Sequence, residues 1–463
     1  MNDELLMMNG ECQHDASTMH IPKLRFAEFV GEWEVTPMGK LLSFKNGFNA
    51  SKEQYGTGKK FINVLDIIEN NFITNNLIKG EVEISEKDYA KNEVVYGDLL
   101  FQRSSETREE VGQASVYLDE NESSTFGGFV IRGRPINKFN SKAFNYLLKT
   151  SAVRKDITSR SGGSTRYNIG QDSLEQVIVN LPTLPEQEKI AAFLTPVDDR
   201  IEQLKRKKTL LQSYKKGVMQ RLFANGKKNG ECGVVSAEFQ HHEASQISTS
   251  KTNQPSAFKT QHPLRFRQDN GETYPDWEEK KLGEVCTFSK GKGISKAEVA
   301  ENGALKCIRY GELYTIYNET ISEVHSSTNL DPDELILSEK NDVIIPASGE
   351  THIDIATASC VTDSSIALGG DLNIIRGSAN GVFLAYYLNN AVKHKIAGLA
   401  QGSSVIHLYA SQLKGLKLAL PHPDEQTKIA NFLTSLDTQI DQTTTQVTQT
   451  QTFKKGLLQQ MFV

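Results

Sequence analysis

Hydrophobic and polar positions along the chain predict two kinds of segment, and each kind occurs twice. Short apolar runs at 94–101, 114–118 and 127–133 are separated by Gly, Asn and Asp, which is typical of strands joined by turns. Residues 143–157 and 385–396 repeat apolar side chains on one helical face, so each predicts a helix between strands. The mixed segments therefore predict an α+β fold.

A helical pattern closes each copy. Glu186–Leu194 predicts a short helix, and Thr195 followed by Pro196 predicts the N-terminus of a second, longer one. Apolar residues then recur every seven positions, as in the seam of a coiled coil, although Thr443 and Thr450 interrupt the second seam. The seam residues are Ile190, Val197, Leu204, Leu211 and Val218 in the first copy and Ile429, Leu436 and Leu457 in the second. The pattern predicts two long antiparallel helices that hold two globular domains apart in a pseudo-twofold repeat.

Direct comparison of the two halves of the chain shows that the amino-acid sequence itself is repeated. Leu181–Leu204 aligns without gaps on Leu420–Thr443, with over half of the positions identical. Further matches join Leu24-Arg25-Phe26 to Leu264-Arg265-Phe266, Trp33 to Trp277, Gly97–Ser105 to Asn341–Gly349, and Ile131-Arg132-Gly133 to Ile375-Arg376-Gly377. These matches predict a tail at 1–21, a first globular domain at 22–185, a helical spacer at 186–223, a polar linker at 224–262, a second globular domain at 263–424 and a second helical spacer at 425–463.

Length and composition agree with this division. A chain of 463 residues exceeds what one hydrophobic core usually organises. Its five cysteines are far apart and form no C-x-x-C pair, which argues against a disulfide framework or a zinc module and fits a reduced, cytoplasmic setting. A metal site built from Cys12, His14, Cys232, His241 and His242 is the less favoured alternative, because tails offer no preorganised geometry. No basic leader precedes an apolar run, and no apolar run is long enough to cross a membrane.

Charge is unevenly distributed. The formal net charge is −5, yet residues 127–170 carry nine Lys or Arg and one acid, and residues 369–417 carry five Lys or Arg and one acid. Positive charge at the same place in both copies suits phosphate contacts that position a protein on duplex DNA. The Gly-Ser turns at 161–166 and 401–404 lie inside these stretches, where the backbone could approach a phosphate and Arg or Gln could reach a base edge.

Catalytic motifs are missing from the sequence. It has no phosphate-binding loop, no dinucleotide fingerprint, no zinc-hydrolase or deaminase signature and no aromatic-flanked Asn/Asp-Pro-Pro tetrapeptide of amino-methyltransferases. The acids at 276–278 and 331–334 have poor spacing for a nuclease and are explained by a turn or a helix start. The sequence therefore favours a binding protein over an enzyme.

The repeated L-P-x-x-x-E-Q-x-K-I-A-x-F-L-T segment, the opening L-R-F with its Trp and the GDLLF-type strand together resemble the specificity subunit of Type I restriction-modification enzymes, over almost the whole chain. The resemblance implies two target-recognition domains that each read half of a split DNA site. It implies that Glu186–Phe223 and Glu425–Phe462 set the spacing and help to dock two adenine-methyltransferase subunits, with motor-nuclease subunits joining them. This chain would bind no cofactor or metal, while S-adenosylmethionine, ATP and Mg would belong to the partner subunits.

The candidate DNA-binding residues come from the loop after the GDLLF-type strand, the basic stretches and the Gly-Ser turns. They are Arg103, Ser104, Arg108, Arg132, Arg134, Lys138, Lys142, Arg154, Lys155, Arg160 and Arg166 in the first domain, and Ser348, His352, Arg376, Lys393, Lys395, Gln401 and His407 in the second. Two other hypotheses stay open at this stage: a stand-alone regulator with tandem DNA-binding domains, and a nuclease with an unrecognised site.

Overall fold

The computed structural model describes residues 21–226, 233–234, 264–403 and 405–462. The chain divides into two compact units. Unit 1 comprises the chain up to Lys205 together with the chain from Thr445 onward, and unit 2 comprises Arg206–Thr444. Most of the predicted tail and linker, with the alternative metal site, lies outside the described residues.

Unit 1 contains the following elements. Its strands are β1 Glu34–Pro37, β2 Leu42–Asn46, β3 Tyr55–Ile62, β4 Phe72–Ile73, β5 Glu81–Val82, β6 Leu99–Gln102, β7 Ser104–Ser105, β8 Ala114–Tyr117, β9 Thr125–Phe126, β10 Val130–Pro135, β11 Tyr167–Asn168 and β12 Ile178–Leu181. Its helices are α1 Val64–Glu69, α2 Glu86–Asn92, α3 Ser141–Leu147, α4 Ser151–Ser159, α5 Gln171–Glu175, the first part of α6 Leu184–Leu222 and the last part of α12 Pro423–Met461. Short 3-10 helices lie at Met38–Lys40, Lys52–Gln54 and Asn75–Leu77.

Unit 2 repeats this order of elements. Its strands are β13 Gly233–Val234, β14 Leu264–Arg265, β15 Glu278–Lys281, β16 Cys286–Lys290, β17 Val299–Ala300, β18 Leu305–Ile308, β19 Thr320–Ile321, β20 Ser326–Thr328, β21 Asp342–Pro346, β22 Ser348–Gly349, β23 Ser359–Val361, β24 Ala367–Leu368, β25 Leu372–Gly377, β26 Ile406–His407 and β27 Lys417–Leu420. Its helices are the last part of α6, α7 Leu282–Val285, α8 Glu312–Thr315, α9 Gly381–Asn390, α10 Lys393–Leu399, α11 Ala410–Lys414 and the first part of α12 Pro423–Met461. Short 3-10 helices lie at Phe223–Gly226, Lys296–Glu298 and Pro332–Glu334.

A five-stranded sheet organises each unit, and the strand order is the same in both. The order is β2-β10-β6-β8-β4 in unit 1 and β16-β25-β21-β23-β19 in unit 2. Neighbouring strands are antiparallel except for the last pair, β4 with β8 and β19 with β23, which is parallel. The sequence repeat is therefore a repeat of fold, and the α+β expectation is confirmed.

The central strand of each sheet is buried on both faces. In β6, Leu99 and Phe101 belong to one core cluster and Leu100 to another on the opposite side. In β21, Val343 and Ile344 divide between two clusters in the same way. Because successive side chains of a strand point to opposite faces, a continuous apolar run is what a strand covered on both sides requires.

The pairing registers correct one part of the sequence alignment. Arg134 of β10 and Arg376 of β25 occupy equivalent positions. Each pairs with the second residue of the neighbouring strand, Ser43 of β2 or Thr287 of β16, and each binds the aspartate at the N-terminal end of the central strand. The match of Arg132 with Arg376 was therefore wrong by two residues. The identical I-R-G letters favour the wrong match, because strand register cannot be read from the sequence alone.

The first long helix is continuous, which contradicts the predicted break at Thr195 and Pro196. Helix α6 spans 39 residues with Pro196 inside it, a length of about 58 Å at 1.5 Å per residue. Proline lacks the amide hydrogen that would bond to the Ala192 carbonyl, so one backbone hydrogen bond is missing from the helix interior. One residue earlier, the Thr195 hydroxyl donates to the Ala191 carbonyl at 2.7 Å. Leu194 and Ile201 are buried on either side, so packing holds the helix together across the proline.

Both long helices bury their seams. Among the seam positions, the buried residues are Ile190, Leu204, Leu211, Val218, Ile429, Leu436 and Leu457. Val197 is partly buried against the core of unit 1. Thr443 is also buried, and its hydroxyl donates to the Gln439 carbonyl at 2.7 Å, which satisfies the polar group inside the seam.

The single helices predicted at 143–157 and 385–396 are each two helices. In unit 1, α3 ends at Leu147 and α4 begins at Ser151. The amides of Lys149 and Thr150 bond to carbonyls three residues back, which tightens the chain into a turn between the helices. Apolar periodicity carries across this turn, so the pattern alone did not reveal the break.

Candidate DNA-binding surface

Short strand pairs bring the two predicted recognition segments of each unit together. In unit 1, Ser104 and Ser105 pair with the residues that follow the Gly-Ser turn, and the Ser104 hydroxyl donates to the side-chain oxygen of Asn168. In unit 2, Ser348 and Gly349 pair with Ile406 and His407 in the same antiparallel way. The loop after the central strand and the Gly-Ser turn, distant in sequence, therefore form one surface in each unit.

Glycine is required in both Gly-Ser turns. Gly163 has φ +128° and Gly402 has φ +125°, a region that L side chains rarely adopt. A Cβ at Gly163 would lie 1.9 Å from the Arg166 carbonyl oxygen, and one at Gly402 would lie 2.1 Å from that of Val405. The turns are therefore the same structure, and they expose Arg166 in unit 1 and Val405 in unit 2 at equivalent positions.

The candidate arginines of the sheets are engaged inside their own units. Arg134 donates two hydrogen bonds, of 3.0 and 2.8 Å, to the buried Asp98 carboxylate, and this raises the pKa of the guanidinium. Arg376 donates two equivalent hydrogen bonds, both of 2.7 Å, to the Asp342 carboxylate, and these raise the pKa of the Arg376 guanidinium. Arg132 is buried and donates to a backbone carbonyl, and burial lowers its pKa. Arg132 and Arg134 thus tie β10 to the segment before β6, and Arg376 ties β25 to β21. The role of all three in DNA binding stays a prediction.

Two more arginines position the recognition loop of unit 1. Arg108 donates to the carbonyls of Thr158 and Ser159 at 3.1 and 3.2 Å, which ties the loop to the end of α4. From α4, Arg154 donates to the carbonyls of Glu109 and Val111 at 2.9 and 2.6 Å, and burial lowers its pKa to about 10. These contacts hold the loop against α4, because Arg108 reaches α4 from the loop and Arg154 reaches the loop from α4.

The other candidates differ in exposure. The exposed ones are Lys138, Lys155, Arg166, His352, Lys395, Gln401 and His407. Lys142 lies over the Phe72 ring at 5.9 Å, and Arg160 pairs with Asp156 at 2.7 Å. The amine of Lys393 donates to the Thr357 hydroxyl at 3.2 Å, and burial lowers its pKa. The exposed set forms the candidate phosphate contacts, while the engaged set has structural partners.

Sequence reasoning missed the side chains that line the cavities beside these loops. In unit 1, Leu65 and Phe129 line two cavities of about 450 and 300 Å³. In unit 2, Tyr310 and Asp371 line one cavity of about 1010 Å³. The sequence signal for these residues is the difference between Gly-Gly-Phe at 127–129 and Gly-Gly-Asp at 369–371. The wrong alignment of the strands that follow kept these two segments from being compared.

A buried polar cluster joins the long helices to each globular part. In unit 1, Asp198 of α6 accepts a hydrogen bond from the Tyr146 hydroxyl at 2.5 Å and pairs with Lys454 of α12. In unit 2, the roles are exchanged between the helices: Asp437 of α12 accepts from the Tyr386 hydroxyl and pairs with Lys215 of α6 at 2.6 Å. Burial, with the neighbouring aspartate, raises the pKa of both tyrosines, which therefore remain donors.

The two helices run antiparallel within unit 1. The start of α6 lies near the end of α12, because adjacent residues of one segment contact both: Arg25 binds Glu186, and the Leu24 amide donates to the Gln460 carbonyl at 2.8 Å. Twelve residues further along α6, Asp198 meets Lys454, which precedes Gln460. Contacts that advance along one helix and recede along the other define an antiparallel pair.

Within 21–226, 233–234, 264–403 and 405–462, no cluster of three or more His, Cys, Asp or Glu side chains has metal-binding geometry. In the same ranges, no helix combines the length and apolar character needed to span a membrane.

Comparison with known proteins gives a consistent result. The family model for the Type I restriction modification DNA specificity domain matches residues 31–212 and again 274–450. A putative Type I restriction enzyme MjaX specificity subunit of Methanocaldococcus jannaschii is 25% identical over 436 residues, covering 90% of each chain. The MjaVIII specificity subunit of the same organism is 25% identical over 306 residues, covering 64% of each chain.

A solved structure shares the fold. The S subunit of a Type I restriction-modification system from M. genitalium superposes with a TM-score of 0.55 at 16% identity, covering 96% of this chain and 99% of that one. The family model matches well over half of the present chain, in two copies that coincide with the structural repeat. The chain therefore belongs to the Type I restriction-modification specificity family, whose members provide DNA specificity rather than catalysis.

Proposed function

We propose that this chain reads a two-part DNA site, one part with each unit, and docks two adenine-methyltransferase subunits and motor-nuclease subunits. The observation that carries the proposal is the repeated sheet with its loop and turn, because one backbone frame occurs twice with different exposed side chains. Arg166 in unit 1 stands where Val405 stands in unit 2. Two domains with one frame and different surfaces suit two different sequences read at a fixed separation.

Phosphate contacts would come from exposed cations near these surfaces. In unit 1, Lys155 and Arg166 are exposed, and in unit 2 Lys395 is exposed on α10. Such contacts fix the register of a protein on the duplex without reading sequence. The chemistry would belong to the partner subunits, which would bring S-adenosylmethionine for methylation and ATP with Mg for translocation and cleavage. An assembly of this kind works on chromosomal DNA in the cytoplasm.

The long helices would set the gap between the two half-sites. Helices of 39 residues with buried seams are stiff enough for that role. Deleting one heptad from each, residues 205–211 and 444–450, removes about 10 Å of helix from both and preserves the seam period. The methylated motif should then keep both half-site sequences and have a shorter gap. An unchanged gap in a folded, active assembly would contradict the role as a spacer.

Reconstitution separates the proposal from its rivals. The purified chain should bind a duplex containing its site weakly, and tightly once the methyltransferase subunits are present, with adenine methylation in both half-sites. Equal affinity with and without the methyltransferase would favour a stand-alone regulator. Cleavage of DNA by the chain alone with a divalent metal would favour a nuclease.

A further inference from the structure

Two exposed apolar side chains form a ridge beside the recognition loop of unit 1. Leu65 is 65% exposed at the start of α1, and Phe129 is 63% exposed directly before β10. Both line the cavity of about 450 Å³ that contains Glu106 and Arg166, and both line the cavity of about 300 Å³ on the other side. Leu65 and Phe129, called the ridge below, therefore separate two cavities.

The backbone that carries the ridge is reproduced in unit 2. The amides of Gly127 and Gly369 donate to the carbonyls of Ile62 and Ile308 at 3.0 and 2.9 Å. The amides of Arg103 and Ala347, at the start of each recognition loop, donate to the carbonyls of Phe129 and Asp371 at 2.9 and 2.7 Å. Phe129 and Asp371 thus occupy the same position.

Leu65 has an equivalent too. Asp66 and Glu312 each accept a hydrogen bond from the backbone amide three residues earlier, of Asn63 and Arg309. The residue before each acid is Leu65 in unit 1 and Gly311 in unit 2. Both residues of the ridge are therefore replaced, one by glycine and one by aspartate.

The cavities change as these replacements require. In unit 2, the equivalents of most residues of the smaller unit 1 cavity line one space of about 1010 Å³, and this space extends to Glu350, the equivalent of Glu106 in the larger unit 1 cavity. Neither Gly311 nor Asp371 supplies a large apolar side chain to divide it. Asp371 faces this space, half exposed, with Lys290 at 3.7 Å.

Neither side chain of the ridge belongs to a hydrophobic core cluster of unit 1. Single exposed apolar residues are common on protein surfaces, but adjacent ones beside cavities with polar rims are typical of a contact surface. The rim includes the exposed Arg166, and Arg103 begins the same loop with its guanidinium 3.3 Å from the Gly128 carbonyl. The same rim carries Glu106 and Glu110. Donors and acceptors therefore surround the apolar centre, and such a mixed rim matches base edges better than an apolar protein partner.

We propose that the ridge contacts a thymine methyl group in the half-site read by unit 1, and that Asp371 accepts a hydrogen bond from an exocyclic amino group in the other half-site. The inference rests on the function proposed above. Apolar side chains recognise the thymine C5-methyl group in the major groove, while carboxylates accept from the cytosine amino group. One position, occupied by Phe129 or Asp371, would thus determine different bases in the two half-sites.

The first test maps adenine methylation by the intact complex in cells. The double variant Leu65→Ala with Phe129→Ala should relax one fixed position in one half-site only, and Asp371→Ala should relax one position in the other half-site only. Both sites are exposed, so the fold should be unaffected. Ile136→Ala, an exposed apolar residue of unit 1 that lines neither cavity, is the matched control and should leave the motif unchanged.

The second test isolates the methyl group. Replacing thymine by deoxyuridine at the relaxed position of a synthetic duplex should weaken binding by the wild-type complex about fourfold, the value of one buried methyl group, and should not affect the double variant. Unit 2 offers the converse variant, Gly311→Leu with Asp371→Phe, which should acquire sensitivity to the thymine methyl. Around Gly311 the nearest atom to an added Cβ is 3.6 Å away, so leucine fits there.

The outcomes of these tests distinguish a failure of the proposed function from a failure of the ridge inference. A wild-type complex that methylates no two-part motif overturns the proposed function itself. A normal wild-type motif that the double variant leaves unchanged overturns the ridge inference alone. So does a motif in which neither half-site has a fixed T·A pair besides the one that contains the methylated adenine. Weaker methyltransferase binding by the double variant, with less methylation of an otherwise unchanged motif, would show that the ridge contacts a protein and would also overturn it.

Discussion

Arg265 donates two hydrogen bonds, each 2.8 Å long, to the carboxylate of Glu425, whose side chain has no exposed surface. Arg25 and Glu186 form the same pair in unit 1, with the same two distances. Each pair fastens the first turn of a long helix to the segment that precedes its globular part. The L-R-F and E-Q motifs of the repeat are thus the two halves of one buried contact.

Breaking this contact should destabilise its unit. Arg25→Met leaves the Glu186 carboxylate buried without its cation, and such losses cost about 3 kcal/mol of unfolding free energy. Chemical denaturation of the purified chain measures the cost. Glu202→Gln, which removes an exposed pair with Lys205 on the same helix, is the control and should cost less than about 1 kcal/mol. Equal effects of the two variants would show that the Arg25 pair adds nothing through its burial.

The tyrosine–aspartate contacts should matter equally in both units. Tyr146→Phe and Tyr386→Phe each remove one hydroxyl that donates to a carboxylate of a long helix. Hydrogen bonds to charged groups contribute about 2 kcal/mol, so each variant should lower the unfolding free energy by that amount. Tyr96→Phe, at an exposed tyrosine, serves as the control. A loss in one unit only would contradict the equivalence of the two clusters.

Lys149 should give the stability of unit 1 a distinctive pH dependence. Burial, reinforced by the ammonium of Lys454, lowers the pKa of Lys149 from its ordinary value of 10.5 to about 7. Below pH 7 the folded and unfolded states are both charged here, and the buried charge opposes folding. Between pH 7 and 10.5 only the folded state has lost the proton, so this group's contribution to stability rises with pH.

Lys149→Met should therefore stabilise the protein most at and below pH 7. Its advantage over the wild type should shrink as the pH rises, by at most about 1.4 kcal/mol per pH unit. Denaturation of both proteins from pH 6 to pH 9.5 gives the difference directly. A constant difference across that range would contradict the lowered pKa.

Exposed and engaged arginines should respond differently to substitution. Arg166→Ala should weaken DNA binding by the complex and reduce the slope of log affinity against log salt by about one, because one phosphate contact is lost. Arg134→Ala should leave that slope unchanged and lower the unfolding free energy by about 3 kcal/mol, since it strands the buried Asp98. Binding titrations at several salt concentrations, with denaturation of each variant, check both. A reduced slope for Arg134→Ala would show that Arg134 also contacts a phosphate.

Features that repeat could be predicted from the sequence, because a pattern found in both copies supports the same structural prediction twice. The two long helices, the strands around Gly97–Gln102 and the paired Gly-Ser turns all belong to this class. Seam burial also followed from the seven-residue period, even where Thr443 replaces an apolar residue.

Features that depend on distant partners could not be predicted. The arginines of the positive stretch at 127–170 had no visible partners in the sequence. The partners of Arg134 and Arg132 are the Asp98 carboxylate and the Glu93 carbonyl, which lie some 35 to 40 residues before these arginines. The helix across Pro196 depends on buried neighbours on either side, which a local capping rule does not include. The ridge was hidden because its two residues come from separate segments, and only strand register shows that Phe129 corresponds to Asp371.

The most direct measurement maps methylated adenines across the genome of the native host and of a strain lacking only this gene. The account predicts that one two-part motif with a fixed gap is methylated in the first strain and is lost in the second, and that it returns when the gene is restored. If the methyltransferase is expressed and active in both strains and no motif differs between them, the chain is not the source of DNA specificity.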